Sequence, residues 1–390
     1  MRSKSIVAIA VALVLSGCAA VNIDQSIERT NSETTGVTAS PVQLLRTLDA
    51  KTVRDRQVSE LLKSSLSQQT AVQIAVLNSP ALQSLLAERW GDMAQAAQGG
   101  RIANPILSLE RVRFLDELEL GRLLAFGLLD LLTLPQRNKI ATARIAQVEL
   151  QMTSDVVGLV TQVRMAWVAA VAANESATYS KLVYESAQAS AELAKRMQGV
   201  GNFNRLQRIR QQAFYADASM QLLASQHAAT STREALIRLL GLKDEQINSL
   251  ALPERLPDLP KSFLSPEAVS KALTSQRLDV RMAQLQLDAA SKSQGLNLLN
   301  SLTDIELGVR RDTVTDLATE SKSIRKGYEL SLRLPIFDWG DAKRASMNAM
   351  TLAAANRLDA ALTSAGSDLR ESYSAYRTAY DSSRQYRDEV

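Results

Sequence analysis

Two spacings of hydrophobic residues divide this chain into helices and strands. Hydrophobic residues three and four positions apart predict helices over about 66–101, 136–198 and 205–240, and again from about 341 onwards. Residues 106–112, 305–310 and 328–334 instead alternate between apolar and polar, and the apolar run 126–134 predicts a fourth strand. We therefore expect a mainly α protein with a small β part of four strands.

The long helices are expected to form an antiparallel hairpin. The proline-free segment 136–198 would extend about 95 Å at ~1.5 Å per residue, and no ordinary globular domain holds such a helix. A turn rich in Gly and Asn then interrupts the helix, because these residues tolerate positive φ; it comprises Gly199, Gly201, Asn202, Phe203, Asn204 and Arg205. Ser67 is expected to cap the start of the helix near 66, and the returning helix is expected to end at Gly241, a residue type common at helix C-termini.

The chain also repeats its own pattern. The segment at Leu66 resembles the segment at Leu264, each segment precedes a strand pair, and Leu134-Pro135 recurs as Leu334-Pro335. Repeats of this length predict two structural halves rather than a solenoid of short units. The first repeat covers 64–241 with a strand hairpin at 105–134. A linker with three prolines covers 242–263, and the second repeat covers 264–390 with a strand hairpin at 303–334.

The strands of the second half have one apolar and one charged face. An apolar face can meet lipid while the polar face lines a lumen, and the predicted pore-facing residues are Glu306, Arg310, Glu329 and Arg333. A register shifted by one would instead place each arginine in lipid at a cost of roughly 2–4 kcal/mol at the midplane, which favours the first register. Because a sheet in lipid cannot leave its edges open, several subunits are expected to pool their strands into a transmembrane barrel.

The N-terminus has the pattern of a secretory signal. Residues 1–17 contain two basic residues followed by an apolar run that is too short for a stable membrane span. Leu15-Ser16-Gly17-Cys18 resembles the lipidation signal of bacterial lipoproteins, and the alternative is an ordinary signal peptide that contains a cysteine. Acylation of Cys18 would hold the mature chain on a membrane. Residues 18–63 are polar and predict a tether with a short helix near 42–62.

Composition and charge exclude several function classes. Aromatic residues make up only 4% of the chain and the net charge is +4 with both signs interspersed, so no nucleic-acid-binding stripe is expected. His227 is the one histidine and is expected to face solvent or pack within its helix, so no histidine-based metal site is predicted. We expect neither an enzyme nor a cofactor.

Three segments resemble the TolC family of outer-membrane efflux channels. They are Asn78-Ser79-Pro80-Ala81-Leu82, its echo Arg277-Leu278-Asp279-Val280, and Leu332-Arg333-Leu334-Pro335-Ile336-Phe337-Asp338-Trp339-Gly340, which Lys343 and Arg344 follow. The third segment is the most specific, because the family typically has Leu-Pro-hydrophobic-Phe-Asp-x-Gly between a strand and a helix. The strand-to-helix junctions are accordingly expected at Pro135, Pro335, Phe337, Asp338 and Gly340.

This resemblance implies a passive duct. Family members are homotrimers in the outer membrane of Gram-negative bacteria, with helices forming a periplasmic α-barrel, and Ala19 after Cys18 favours that membrane over the inner one. They serve tripartite efflux or type I secretion with a periplasmic adaptor protein and an inner-membrane pump. The turn from Gly199 to Arg205 matches the adaptor contact, and a generic helix turn is the alternative. Tyr373, Tyr376 and Tyr380 match a gate region or, alternatively, pack between helices.

Two departures leave alternatives open. Pro135 is followed by Gln136-Arg137-Asn138-Lys139 rather than Phe-Asp-x-Gly, and the second repeat contains no counterpart of the turn at 199–205 or of the returning helix. The second repeat is therefore expected to be incomplete at its C-terminus. The alternatives to a channel are a periplasmic coiled-coil scaffold lipoprotein without a pore and a truncated, non-functional channel remnant.

Overall fold

The computed structural model describes residues 21–263, 277–302, 305–334 and 336–389. The helices are α1 Ile23–Glu33, α2 Leu48–Leu61, α3 Gln68–Asn78, α4 Pro80–Gly99, α5 Leu128–Gly199, α6 Arg205–Leu240, α7 Asp244–Asn248, α8 Leu278–Leu302 and α9 Asp341–Glu389. The strands are β1 Ile106–Phe114, β2 Glu117–Gly127, β3 Ile305–Asp316 and β4 Lys322–Leu332. The expectation of a mainly helical chain with four strands is confirmed.

Several expectations concern residues outside the described ranges. The signal segment 1–17, Cys18, the start of the second repeat at 264–276, and Pro335 lie outside them. The lipid anchor therefore stays a prediction, as do the two-fold internal repeat and the C-terminal incompleteness of the second repeat. The described residues form two compact units, one with residues 89–151 and 277–376, the other with 23–88, 152–263 and 377–389.

The second of these units is a helical unit with a continuous apolar core. Its fully buried side chains include six from the loop before α3 and from α3, α4 and α6: Leu66, Ile74, Leu82, Leu86, Leu236 and Leu240. Ser67 caps α3 as predicted, because its hydroxyl accepts the Thr70 N–H at 3.0 Å. Trp167 on α5 donates its indole N–H to the Leu66 carbonyl at 2.8 Å, which fixes the entry to α3.

The expected tether is a folded part of this helical unit. From Ile23 onwards it contains α1 and α2, and Ile23, Ile27, Val42 and Val58 are buried. The side chain of Asn31 replaces a backbone partner, since it accepts the Val42 N–H at 2.8 Å and donates to the Val42 carbonyl at 3.1 Å. The expectation of a polar tether was wrong here because a few widely spaced apolar anchors bind an otherwise polar segment.

The proline-containing linker also packs against the helical unit. Leu242 and Leu250 are buried, and α7 lies between them. The Leu66 N–H donates to the Ala251 carbonyl at 2.8 Å. Arg233 of α6 donates to the carbonyls of Ile247 and Leu250 at 3.1 Å each. These hydrogen bonds to backbone carbonyls hold the segment against the helical unit.

The other unit contains a four-stranded antiparallel sheet in the order β1-β2-β3-β4. Leu115 and Asp116 form the β1–β2 turn, with Leu115 at φ 50°. In the β3–β4 turn, the Asp316 carboxylate accepts the N–H groups of Ala318 and Thr319 at 2.8 and 3.0 Å. The hairpins therefore end in short turns rather than long polar loops.

Two strand predictions were wrong in position. The predicted strand at 126–134 lies instead at Glu117–Gly127, and the residues between the predicted strands 305–310 and 328–334 belong mostly to β3 and β4. Charged residues stand on both faces of the strands near the turns, so this part of the sequence lacks the one-sided pattern of a half-buried strand. The tertiary pairing extends the strands through it.

Pro135 does not mark a strand-to-helix junction. It lies inside α5, which begins at Leu128, so the apolar run after β2 is helical. Proline has no N–H and leaves the carbonyl four residues earlier without its helical partner. Arg137 stabilises this helix start, because it donates to Asp130 at 2.6 Å and to the Gly99 carbonyl at 3.0 Å. A short apolar run between turns does not by itself distinguish strand from helix.

Candidate functional site

One face of the sheet collects most of its acidic residues. Directly paired residues share a face, and the register places Glu306, Arg310 and Glu329 on the same face. Arg333 follows the end of β4 and is exposed, so the strand register does not position it. The acidic face, as we name it, carries the acidic residues Glu110, Glu117, Glu119, Glu306, Asp312, Asp316 and Glu329 and the basic residues Arg310 and Arg325.

Arg310 connects three strands on the acidic face. Its guanidinium donates to both carboxylate oxygens of Asp312, at 2.8 and 3.0 Å, and to Glu110 of β1 at 3.2 Å. Glu329 of β4 lies 4.0 Å from the same guanidinium. Gly121 leaves room for this cluster, since a Cβ there would lie 3.2 Å from an Asp312 oxygen. Asp312 was missed in the sequence because it lies beyond the predicted strand 305–310. Glu110 lies within the predicted strand 106–112 and was missed because pore-facing residues were assigned only in the second half of the chain.

The opposite face of the sheet is apolar at the base of the strands and exposed. We name it the apolar face. Its exposed apolar side chains come from all four strands: Leu107, Leu109, Leu124, Phe126, Leu307, Val309, Ile324, Tyr328, Leu330 and Leu332. Tyr328 is 86% exposed and pairs with Val309 on this face. Within the described residues, no other layer of the chain covers this face.

Both edges of the sheet are open. In the part of the chain that the structure describes, β1 pairs only with β2 and β4 pairs only with β3. Each edge strand therefore presents unpaired N–H and C=O groups. The apolar face and the two open edges together form a surface that no described part of the chain covers.

The junction between β4 and α9 is built around Asp338. Its carboxylate accepts the Gly340 N–H at 2.8 Å, and Gly340 has φ +70°, a backbone conformation that favours glycine. The Gly340 carbonyl then accepts the Arg344 N–H in the first turn of the helix. Phe337 is 98% exposed beside this turn. The Asp-x-Gly part of the motif thus has a local structural role, whereas Phe337 lacks an intrachain packing role.

The turn between α5 and α6 is compact and capped. The N–H groups of Asn202 and Phe203 donate to the Met197 carbonyl at 2.9 and 3.2 Å, and Gly201 has φ +81°. Asn204 and Gln207 form a reciprocal capping box at the start of α6. Gly199 ends α5 and Arg205 begins α6. These contacts stabilise the turn.

Exposed apolar side chains surround this turn. Val200 is 71% exposed, and Leu206 and Ile209 on the first turns of α6 are also exposed. Such side chains are not needed to form the turn. Sequence reasoning named Gly199, Gly201 and the residues from Asn202 to Arg205 and missed these three. Their signal in the sequence was an apolar side chain beside a predicted helix turn, and no described element covers them.

Arg277 and Asp279 form an ion-pair cluster at the start of α8. Arg277 donates to Asp279 at 2.7 Å, to Asp368 of α9 at 3.0 Å and to the Ala365 carbonyl at 3.1 Å. The hydrogen bond from Arg277 lowers the pKa of Asp279 below its ordinary value, and the same bond raises the pKa of Arg277. The sequence analysis identified this segment only by its similarity to the Asn78 segment. The structure shows that Arg277 links the start of α8 to α9.

Asn78 has an equivalent structural task in the helical unit. Its side-chain amide donates to the carbonyls of Leu240 and Gly241, at 3.0 and 2.8 Å, and is buried. These carbonyls belong to the end of α6 and would otherwise be unsatisfied. The family-like motif residue therefore joins the end of α3 to the end of α6.

The aromatic residues of α9 pack within the chain. Tyr380 donates its hydroxyl to the Pro260 carbonyl at 3.0 Å, and its ring contacts Phe263 edge-on at 6.0 Å. The Arg377 guanidinium lies 3.7 Å from the centroid of the Phe263 ring. The rings of Tyr373 and Tyr376 contact each other in a tilted arrangement, with their centroids 6.4 Å apart. These contacts agree with the packing alternative and leave a gate role untested.

Metal and membrane-helix candidates are few. No cluster of metal-ligating side chains occurs among the described residues, and His227 is exposed on α6. Of the described helices, α5 alone is long and apolar enough to cross a membrane by length and composition. The 18-residue stretch of α5 that meets this criterion is 33% buried within the protein. A packed helix passes the same test, so the helix does not by itself identify a membrane span.

Comparison with solved structures identifies the fold. No protein-family model and no curated protein sequence matches the chain. The structure superposes on CusC, described for its transmembrane channel formation, with a TM-score of 0.61, 17% identity, and coverage of 85% of this chain and 78% of that one. It is also similar to the outer membrane protein VceC of Vibrio cholerae, with a TM-score of 0.57, 17% identity and coverage of 84% and 79%.

A third neighbour agrees with these two. The CmeC outer membrane channel of Campylobacter jejuni has a TM-score of 0.58, 14% identity, and coverage of 87% of this chain and 74% of that one. The chain therefore has the TolC-type fold of outer-membrane channels, as the resemblance in the sequence predicted. At these identities the likeness establishes the architecture, and the function is argued separately below.

Proposed function

We propose that this protein is the outer-membrane channel of a tripartite efflux or type I secretion system. In this proposal three copies pool their four strands into one transmembrane β-barrel, and their helices form a periplasmic α-barrel. The channel is a passive duct, without a catalytic site or cofactor. Its localisation is the outer membrane of a Gram-negative bacterium.

The sheet carries this proposal. Its exposed apolar face and its two open edges would be costly in water, and an open edge would be costlier in lipid. Pairing the β4 edge of one copy with the β1 edge of the next removes both costs at once. The competing hypothesis is a coiled-coil scaffold without a pore. It assigns no role to the sheet and provides nothing to cover the apolar face.

Oligomer formation provides the first test. We expect the protein extracted from outer membranes to migrate as a three-chain band on an unheated detergent gel and as a single chain after boiling. The mass of the C-terminal peptide should be checked on the same sample. A single-chain band in both lanes, from protein that is fully folded by circular dichroism, would refute the trimeric barrel and favour the scaffold or the non-functional remnant.

Ion selectivity tests which face lines the lumen. The acidic face has more acidic than basic residues, so a lumen formed by it should attract cations. In planar bilayers we expect a reversal potential that favours potassium over chloride, and a smaller preference in Glu306→Gln/Glu329→Gln. Glu320→Gln, in the exposed β3–β4 turn, is the control. An unchanged preference in the double variant would place these residues away from the pore.

The partners proposed for the channel are a periplasmic adaptor protein and an inner-membrane pump. The exposed apolar residues Val200, Leu206 and Ile209 support an adaptor contact at the turn between α5 and α6. We expect Val200→Asp/Leu206→Asp to abolish co-purification of the adaptor while the three-chain band persists. Co-purification at wild-type levels would show that the turn is only a helix connection.

Lipidation of Cys18 is proposed as a second attachment to the outer membrane. Labelling of cells with radioactive palmitate should mark the wild-type chain and leave Cys18→Ala unlabelled. The variant should still form the barrel, because the anchor and the strands reach the membrane independently. Label on Cys18→Ala would mean that another residue of the chain is acylated and would refute the role of Cys18.

A further inference from the structure

The two faces of the sheet differ in charge as well as in polarity. Every acidic residue of the four strands lies on the acidic face. The apolar face has no acidic residue, and near the hairpin turns it carries six basic ones, which we name the basic band: Arg111, Arg113, Arg122, Arg311, Lys322 and Lys326. Alternation along the strands could have distributed the charges evenly, so this separation is a specific feature of the sheet.

The basic band follows the register of the strands. Arg122, Arg311 and Lys326 are paired across β2, β3 and β4 in one row, and Leu109 completes the row on β1. The next two rows towards the turns each contain further basic residues. All six side chains are exposed. Among the described residues, none of the six has a carboxylate within ion-pair distance, in contrast to Arg310 on the other face.

The basic band adjoins a broad apolar zone. On the same face, the rows at the strand bases contain only apolar residues and Tyr328. Exposed apolar side chains continue beyond the strand bases in Leu131, Leu132, Leu334 and Phe337. Moving along this face from the helix junction to the turns, the surface therefore changes from rows without any charge to rows in which every charged residue is basic.

The basic band would be energetically unfavourable within the hydrocarbon core of a membrane. An arginine facing lipid is strongly unfavourable at the bilayer midplane and nearly neutral near the interface. Long basic side chains also extend towards headgroups. The band is therefore expected at the headgroup level of one leaflet, and the hairpin turns place it on the leaflet farther from the helices at the strand bases.

We propose that the basic band binds the phosphate groups of lipid A, the phosphorylated glycolipid of the outer leaflet. This inference rests on the proposed function, because that function places the hairpin turns at the outer surface. The chemistry is charge complementarity: planar guanidinium groups bind phosphate oxygens in a bidentate manner, and ammonium groups add point charges. Repetition of the band in three copies would surround the barrel with phosphate-binding side chains.

Lipid A is favoured over other occupants for two reasons. A protein partner or nucleic acid would have to displace lipid from the adjoining apolar zone, whereas a lipid contacts both zones with its acyl chains and its headgroup. Phosphatidylglycerol carries one phosphate, while lipid A carries two at the width of a disaccharide. The row of Arg122, Arg311 and Lys326 spans three adjacent strands at a spacing of about 4.8 Å each, which suits a headgroup of that width.

The test measures lipid retained by the purified full-length protein. Wild type, Arg122→Gln/Arg311→Gln/Lys326→Gln and the control Arg325→Gln are incubated with vesicles of phosphatidylcholine that contain lipid A, phosphatidylglycerol or neither. Arg325 is adjacent to Lys326 in sequence but lies on the acidic face. Retained lipid is counted by native mass spectrometry, and conductance is recorded on the same preparations.

We expect the triple variant to retain at least tenfold less lipid A than wild type, since a basic side chain at an anionic surface contributes about a fivefold factor each. The control should retain the wild-type amount, and wild type should retain much less phosphatidylglycerol than lipid A. Equal retention of lipid A by all three proteins would overturn the proposal, and equal retention of both lipids by wild type would overturn the choice of lipid A.

The conductance measurement distinguishes failure of the lipid A proposal from failure of the proposed channel function. Normal conductance with unchanged lipid A retention refutes the basic band alone. Loss of lipid A in the triple variant, with no conductance in any preparation, refutes the channel and leaves the lipid contact standing. Loss of conductance only in the triple variant, with wild-type retention, would also overturn the lipid role and place the three residues in folding of the barrel.

Discussion

Replacing Asn78 by Asp should destabilise the helical unit strongly, although the two side chains have nearly the same shape. The Asn78 amide donates two hydrogen bonds, to the carbonyls of Leu240 at 3.0 Å and of Gly241 at 2.8 Å, and the side chain is only 2% exposed. A carboxylate at this position cannot donate and would face two carbonyl oxygens. The perturbation therefore changes hydrogen-bonding direction and charge while keeping volume.

The magnitude follows from the contacts. Asn78→Ala loses two neutral hydrogen bonds of about 1 kcal/mol each, so we expect a loss of about 2 kcal/mol in the free energy of unfolding. Asn78→Asp leaves an uncompensated charge in a buried place, which typically costs about 3–5 kcal/mol. The order wild type, alanine variant, aspartate variant is thus predicted without any change in the fold.

The pH dependence of Asn78→Asp has a defined sign. Burial and the facing carbonyls should raise the pKa of the new carboxyl above its value in the unfolded chain. The folded state then binds a proton more readily, so the destabilisation should be smallest at low pH and increase as the pH rises through that raised pKa. The protonated carboxyl can also donate one of the two lost hydrogen bonds.

Hydrogen exchange and thermal unfolding would measure the effect. The Gly241 and Leu242 N–H groups donate to Arg238 and Ile237 at the end of α6, so their peptide should exchange faster in the variants. The matched control is Asn174→Asp, at an exposed position of α5. If Asn78→Asp and Asn174→Asp have the same unfolding temperature and the same exchange at this peptide, the assigned role of Asn78 is wrong.

Three further predictions follow from local geometry. Gly241→Ala should lower the unfolding temperature, because φ +66° costs a non-glycine residue about 1–2 kcal/mol, whereas Gly158→Ala in open space within α5 should not. Arg310→Met should lower the temperature at which the three-chain band dissociates, since its carboxylate partners lose their cation; an unchanged temperature would show that solvent replaces it. The hydrogen bond from Arg277 lowers the pKa of Asp279, so the ionised carboxylate stabilises the folded state at neutral pH, and this stability is lost as the pH falls below about 4. In a pH series of unfolding temperatures, Asp279→Asn should therefore show a smaller decrease at acid pH than wild type.

Local chemistry determined the helix ends that the sequence predicted correctly. Ser67 accepts an N–H of its own helix, and Gly241 adopts the left-handed conformation that ends α6. Both effects involve residues within a few positions of each other, so the sequence carries the whole signal. The same reason explains why the turn at Gly201 was identified, since its positive φ requires no partner elsewhere in the chain.

Strand ends and charge partners were decided by the tertiary structure. β2 pairs with β3 through residues far apart in sequence, and Arg310 meets Glu110 across a separation of 200 positions. The pattern near the turns was ambiguous because both faces of the strands carry charge there. Only the pairing register assigns each charge to the acidic face or to the basic band.

The sequence by itself therefore determined the helical hairpin, the existence of four strands and the resemblance to outer-membrane channels, because each depends on short-range periodicity or on a local motif. It did not determine that Ile23 and Val58 are core residues or that Pro135 lies within a helix. Those outcomes depend on which surfaces meet after folding. Burial of a few apolar anchors and pairing of distant strands contribute free energy that local propensity does not contain.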